Sequence, residues 1–199
     1  ALLLNIGPAP DGSVPYDQEN RLRELAAWHF INGEALDGVR PWILTNENNI
    51  WFTASKDGRS VYAFITGMPD WPRGDRRTFV LRSIKSNEHT RVDVLGQSGD
   101  VVEYQPDKDG QAYWEQKEDG LHVSCVRAQR IYNNHRWHNP IVLKITDVDP
   151  ALEPPIVRTV GASIEGGSLV LEGQLVKRGD AQSIDAAFEY REYAGFAES

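Results

Sequence analysis

The stretch NIWFTASKDGRSVYAFITG (residues 49–67) decides how the chain is read. Two runs of alternating aromatic and β-branched residues flank Lys56-Asp57-Gly58-Arg59, and Asp-Gly favours the positive φ angles that a tight hairpin needs. The pattern predicts a β-hairpin. Further strands are expected at TFVLRSI (78–84), RVDVLG (91–96), VVEYQP (101–106), LHVSCV (121–126) and IVLKIT (141–146). Short strands at that spacing make Ile43 to Val148 an all-β region, with a β-sandwich as its expected form.

Upstream, Leu2 to Ile6 is an unbroken apolar run, the pattern of a strand covered on both faces as in a parallel sheet. Gly7, Pro8, Pro10, Asp11 and Gly12 punctuate the loop that follows. Ser13 or Asp17 can cap a helix that Pro15 helps to start. The helix is expected through QENRLRELAAWHFIN (18–32), with Leu22, Leu25, Ala26 and Trp28 on its apolar face and Gly33 as its C-cap. This is one β/α unit without the rest of its sheet, so the chain is expected to be a piece of a longer protein. Downstream, DVDPALEPPIV (147–157) carries three prolines and reads as a stiff linker. SLVLEGQLVK (168–177) and SIDAAFEYREY (183–193) read as two strands joined by an Arg178-Gly179-Asp180 turn. Two or three strands are few for an independent sandwich, which commonly has about 100 residues, so the C-terminal module is also expected to be incomplete.

Composition narrows the function classes. The 199 residues carry 21 basic and 29 acidic side chains, a net charge of −8, with no block of Lys or Arg. That balance argues against nucleic acid as the partner and fits a neutral one. Cys125 is the single cysteine, which excludes a disulfide framework and a cysteine-based metal site. No stretch approaches the roughly 20 apolar residues of a membrane span.

Several motifs in the first 42 residues resemble the end of the catalytic domain in the α-L-fucosidases of glycoside hydrolase family 29. They are Leu2 to Pro8, the Asp11-Gly12 turn, Trp28 near the end of the helix, Asn32 to Glu34, and Arg40 to Trp42. VYAFITGMP (61–69) and DVLGQSGDVVEY (93–104) resemble the family's C-terminal β-sandwich more loosely. The resemblance implies a mainly β chain in three parts. Residues 1–42 would be the last strand and helix of a (β/α)8-like catalytic barrel, 43–150 the C-terminal sandwich, and 151–199 a linker and incomplete accessory β-domain. It further implies that the longer protein is a retaining, exo-acting α-L-fucosidase acting on fucosylated glycans or glycoconjugates, in a secreted, periplasmic or lysosome-like compartment. Retention requires two carboxyls about 5–5.5 Å apart flanking one bond. The family's Asp nucleophile and Glu acid/base have no counterpart here, so no catalytic residue is expected in this chain. No cofactor is expected either.

Among the residues that could touch substrate, Asn5 is the candidate, because a polar side chain closing a barrel strand sits at the rim where barrel active sites are built. Its structural alternative is to tie down the Gly7-Pro8 loop. Asp11 is read as a turn residue and Glu34 as a structural carboxylate, with Arg40 as an ordinary partner. His135 and His138 lack the accompanying ligands of a metal site, and none is expected. Trp51, Trp71, Trp114 and Trp137 are read as core, with Trp71 in MPDWPRGD the most loop-like and so the best placed to stack on a sugar ring. Cys125 is expected inside. The helix is expected to dock the sandwich through Leu22, Leu25 and Trp28. Two rival readings are a non-catalytic carbohydrate-binding β-sandwich module and a structural spacer.

Overall fold

The computed structural model describes residues 5–68, 70–98, 105–128 and 139–189. The chain divides into two compact units, residues 1–151 and 152–199. The first begins with an irregular loop and helix α1 (Tyr16–Asn32), which runs into a short 3₁₀ turn (Gly33–Ala35). Eight strands follow: β1 (Val39–Glu47), β2 (Ile50–Ser55), β3 (Ser60–Ile65), β4 (Arg76–Leu81), β5 (Ile84–Val94), β6 (Tyr113–Lys117), β7 (Gly120–Val126) and β8 (Ile141–Pro150). They form two antiparallel sheets, ordered β1-β2-β3-β8-β5 and β4-β7-β6. The molecule is thus mainly β, as expected.

The hairpin at 49–67 forms as its pattern predicts: Ile50 pairs with Ile65, Ala54 with Val61, and Gly58 takes φ +76° at the tip. All six residues of β3 are buried, which a half-solvated strand would not allow. Alternation explains this. Val61, Ala63 and Ile65 point into the core between the sheets, with Phe52, Leu143 and Ile145 from the same sheet and Phe79, Leu121 and Val123 from the other. Tyr62 and Phe64 point the opposite way and pack under Trp28, Ala35, Leu95 and Val142. The five-stranded sheet is therefore covered on both faces, by the second sheet and by the helical segment.

Several expectations are corrected. Residues 1–4 of the expected N-terminal strand lie outside the described residues, and Asn5 and Ile6 are irregular and exposed. Helix α1 starts after Pro15 without a side-chain cap; Gly33 is its C-cap as expected, but with a right-handed backbone, φ −57°. The left-handed residue that ends the helical segment is Gly38, φ +69°. TFVLRSI is two strands in two sheets. The corner at Arg82-Ser83 is fixed by Glu47, whose carboxylate accepts from both backbone N–H groups at 2.7 and 2.8 Å. Trp42 Nε1 also donates to Ser83 Oγ there, at 3.2 Å. In VVEYQP, residues 101–104 lie outside the described residues and Gln105-Pro106 are not strand. Asp147 to Pro150, read as linker, complete β8.

The second unit is a hairpin of β9 (Ile156–Glu165) and β10 (Ser168–Lys177), turning at Gly166-Gly167. Its base is held by Glu153: the backbone exchanges bonds with Asp180 and the carboxylate meets Lys177 Nζ at 2.6 Å. Residues 183–189 of SIDAAFEYREY are irregular and the rest lie outside the described residues. β9 occupies part of the supposed linker.

Candidate functional site

Helical geometry puts Trp28 and Asn32 on one side of α1, four residues apart, and these are the two residues the helix buries. Trp28 stacks at a tilt on Phe64, ring centroids 6.3 Å apart, and its Nε1 donates to Pro140 O at 2.8 Å. Asn32 donates its amide to Trp28 O at 2.9 Å. The 3₁₀ turn then sets Ala35 against the sheet, where its carbonyl accepts from Thr53 Oγ1 at 2.7 Å.

Beside this apolar contact lies a small charged cluster. Glu34 Oε2 accepts from Lys144 Nζ at 2.6 Å and from Tyr62 Oη at 3.1 Å. The hydrogen bond to Glu34 raises Lys144 above its ordinary value. Burial, followed by the Glu34 charge, raises Tyr62. Glu34 thus has a structural partner, but it is Lys144 from β8. Arg40 donates instead to Ser55 O at 3.3 Å. Chemically the cluster is a latch: one acceptor held by two donors, with no group positioned to give or take a proton from a ligand.

The loop before α1 is the other candidate region. Gln18 clips it, accepting from Gly7 N at 3.0 Å and donating to Gly7 O at 3.2 Å. Asp11 makes the turn, accepting from Ser13 N and Ser13 Oγ at 3.0 and 2.7 Å, bonds that lower its carboxyl below the usual range. Asn5 is exposed just ahead of this clipped loop.

Of the tryptophans, Trp71 is buried rather than loop-exposed: it packs on Phe79, donates Nε1 to Asp75 O at 2.8 Å, and receives Arg127 Nη1 on its carbonyl at 2.6 Å. Trp114 is half-buried against the core. Trp51 is 51% exposed on the outer sheet face, so among the described residues the tryptophan most open to solvent is in a strand and not in a loop. Trp137, His135 and His138 lie outside the described residues. Among the described residues no cluster of His, Cys, Asp or Glu could hold a metal ion, and no helix is long and apolar enough to cross a membrane. Cys125 is buried, and burial pushes its thiol up to about 12.

Sequence reasoning missed Lys144 and Tyr62 at the latch. Strand alternation in YAFI and VLKI, read against the hairpin register, puts both on one face, but which helix would meet them is set by long-range packing.

No family model matches the chain. The chain is 38% identical over 98 residues to the α-L-fucosidase of Branchiostoma floridae and 33% over 99 residues to that of Dictyostelium discoideum. It is 34% identical over 102 residues to the tissue α-L-fucosidase of Homo sapiens. Each match takes in 48–50% of this chain, and the chain spans 20% of the length of each relative. In structure it resembles α-L-fucosidase isoenzyme 1 from Paenibacillus thiaminolyticus, with TM-score 0.48 and 19% identity over 74% of this chain and 30% of that one. On the sequence matches, about half of this chain is related to part of proteins named α-L-fucosidase.

Proposed function

We propose that this chain is the C-terminal part of a retaining, exo-acting α-L-fucosidase that removes terminal α-L-fucosyl residues from glycans. The observation that carries this reading is the 38% identity over 98 residues to a protein named α-L-fucosidase, of which the chain spans one fifth. Residues 1–42 are the last strand and helix of the catalytic barrel, 43–150 the sandwich, and 151–199 a linker and part of an accessory module. The catalytic Asp and Glu lie upstream. Cleavage through a covalent intermediate needs both carboxyls at the strand ends of one barrel, and a single strand end cannot supply them. The work of this chain is to close the barrel and hold the sandwich to it. Trp28 and the Glu34 latch support that role, since they bind the helical segment to the sheet.

The test compares this chain with the longer protein on an aryl α-L-fucoside, following the anomeric configuration by NMR. We expect retention by the longer protein and no hydrolysis by residues 1–199. Activity in the isolated chain, or none in the longer protein, overturns the reading. Asn5 is proposed to line the pocket rim, so Asn5→Ala in the longer protein should raise KM or lower kcat. A loss of thermal stability alone would make it a loop anchor.

A further inference from the structure

The outer face of the five-stranded sheet carries a groove of about 660 Å³ where the cover of the helical segment gives out. Strand register builds its floor. Ser60 on β3, Thr146 on β8 and Arg91 on β5 lie side by side, one row beyond Tyr62, Lys144 and Asp93. The β2–β3 turn forms one wall with Asp57 and Arg59, and a bulge in β5 forms the other with Glu88, His89 and Thr90. Asp147 lies at the end away from the latch.

Two irregularities shape this concavity, and they are tied to each other. Asp147 holds φ +54°, a left-handed backbone inside a strand that non-glycine residues seldom adopt. Its carbonyl accepts from Asn87 Nδ2 at 2.8 Å and Thr90 Oγ1 at 2.7 Å, both on the bulge. Its N–H donates to Arg59 O at 2.9 Å, on the opposite wall. Backbone strain of this kind and bulges that re-aim side chains recur at ligand sites. Here one strained residue braces both walls, so the groove is formed before anything binds.

Its chemistry is balanced. Its lining carries the acidic residues Asp57, Glu88 and Asp147 and the basic residues Arg59, Arg91 and Lys144, the last already held by Glu34. Asp57 is fixed through Oδ1 by Ser55 Oγ at 2.6 Å and Arg59 N at 3.0 Å, which leaves Oδ2 to accept from a ligand. An anion would meet three carboxylates and a cation three basic groups. A ligand that donates and accepts at adjacent hydroxyls satisfies both sets, and the volume lies within the range of about 300–1,000 Å³ typical of small-molecule sites. We propose that this groove binds a neutral oligosaccharide through its hydroxyl groups. Binding here does not require that the longer protein hydrolyse fucosides, so the two readings fail separately.

The test is titration of the ¹⁵N-labelled 199-residue chain with 2′-fucosyllactose, lacto-N-tetraose and cellotetraose, with sodium sulfate as the anionic comparison. We expect at least one sugar to shift the amides of Ser60, Thr90, Arg91 and Thr146 saturably while sulfate does not. Arg91→Ala and Asp147→Asn should each weaken binding about tenfold, the loss of one charge-assisted contact. Asparagine tolerates the left-handed backbone, so the second variant removes charge without removing the turn. If one variant misfolds, the other decides. No saturable shift with any of the three sugars, shifts confined to other surfaces, binding of sulfate alone, or folded variants that bind as tightly would each overturn the proposal.

Discussion

Trp28 joins two kinds of stabilisation in one side chain, because its ring fills the space over Phe64 while its Nε1 satisfies the carbonyl of Pro140, 112 residues away in sequence. Trp28→Ala should cost about 3–5 kcal/mol, the range for truncating a buried aromatic. Trp28→Phe keeps most of the apolar contact but strands that carbonyl, and should cost about 1–3 kcal/mol. Urea midpoints of the two variants check this, and equal losses would mean that the ring contact kept by phenylalanine contributes nothing. The Glu34 latch is partly exposed, with Lys144 30% and Glu34 44% accessible, so the ion pair itself is worth at most about 1 kcal/mol. Its signature is the pH dependence. Lys144 and Tyr62 both titrate above their ordinary values in the folded chain. A raised folded pKa gives stability that is complete below the unfolded value and is lost as pH rises through the folded one. Both therefore act on the alkaline side, and stability should begin to fall above about pH 10. Lys144→Met and Tyr62→Phe should flatten that fall in urea midpoints taken between pH 8 and pH 11.5. Cys125 offers an independent reading of the core. A buried thiol raised to about 12 should not react with a disulfide reagent at pH 8 until the sandwich unfolds.

At the scale of elements, α1 and the 3₁₀ turn act as one lid on the outer sheet face. Removing residues 1–38 leaves β1 whole but bares Tyr62, Phe64, Leu95 and Val142. The remainder should melt lower and aggregate sooner, measured by calorimetry and light scattering; unchanged behaviour would show that the sheet does not need its cover. The hairpin was legible because Asp-Gly fixes its turn and β2 and β3 carry strand-forming residues on both sides. The strands missed each have a local reason. Pro41 in β1 argues against a strand, and the chain resolves this by placing β1 at the sheet edge, where a missing N–H is harmless. β6 is a run of five residues, YWEQK, with only Trp114 partly buried, so it carries no apolar alternation to read. Arg82-Ser83 carries no turn signal of its own, and the break there is imposed by Glu47 from a distant strand. The helix end at Asn32 was legible from Asn32-Gly33, but not the right-handed backbone of Gly33, because the chain continues into the 3₁₀ turn that seats Ala35. β9 and β10 form a sheet of two strands, an arrangement marginal by itself. Limited proteolysis should accordingly cut within residues 152–189 before it opens the sandwich, and a hairpin that outlasts the sandwich would contradict this.

For the whole molecule, the question is what the covered sheet does for the longer protein proposed above. The latch and Trp28 tie a helix near the N-terminus to strands more than a hundred residues later, so the first unit cannot lose its sandwich without also freeing that helix. If the helix closes a catalytic barrel, damage at this seam should reach activity through stability and not through the chemical step. That separates it from Asn5, which should act on kcat or KM. Trp28→Ala in the longer protein should leave both parameters on an aryl α-L-fucoside within about twofold at 25 °C, since it removes no contact with substrate. Its thermal inactivation should be faster by about tenfold or more, because inactivation follows the unfolding rate and a loss of several kcal/mol falls largely on that rate when the seam forms late in folding. Measuring half-lives and kinetic constants on the same preparations checks both halves. A fall in kcat with an unchanged half-life would move Trp28 into the substrate machinery. An unchanged half-life with unchanged kinetics would show that the barrel holds its last helix without the sandwich.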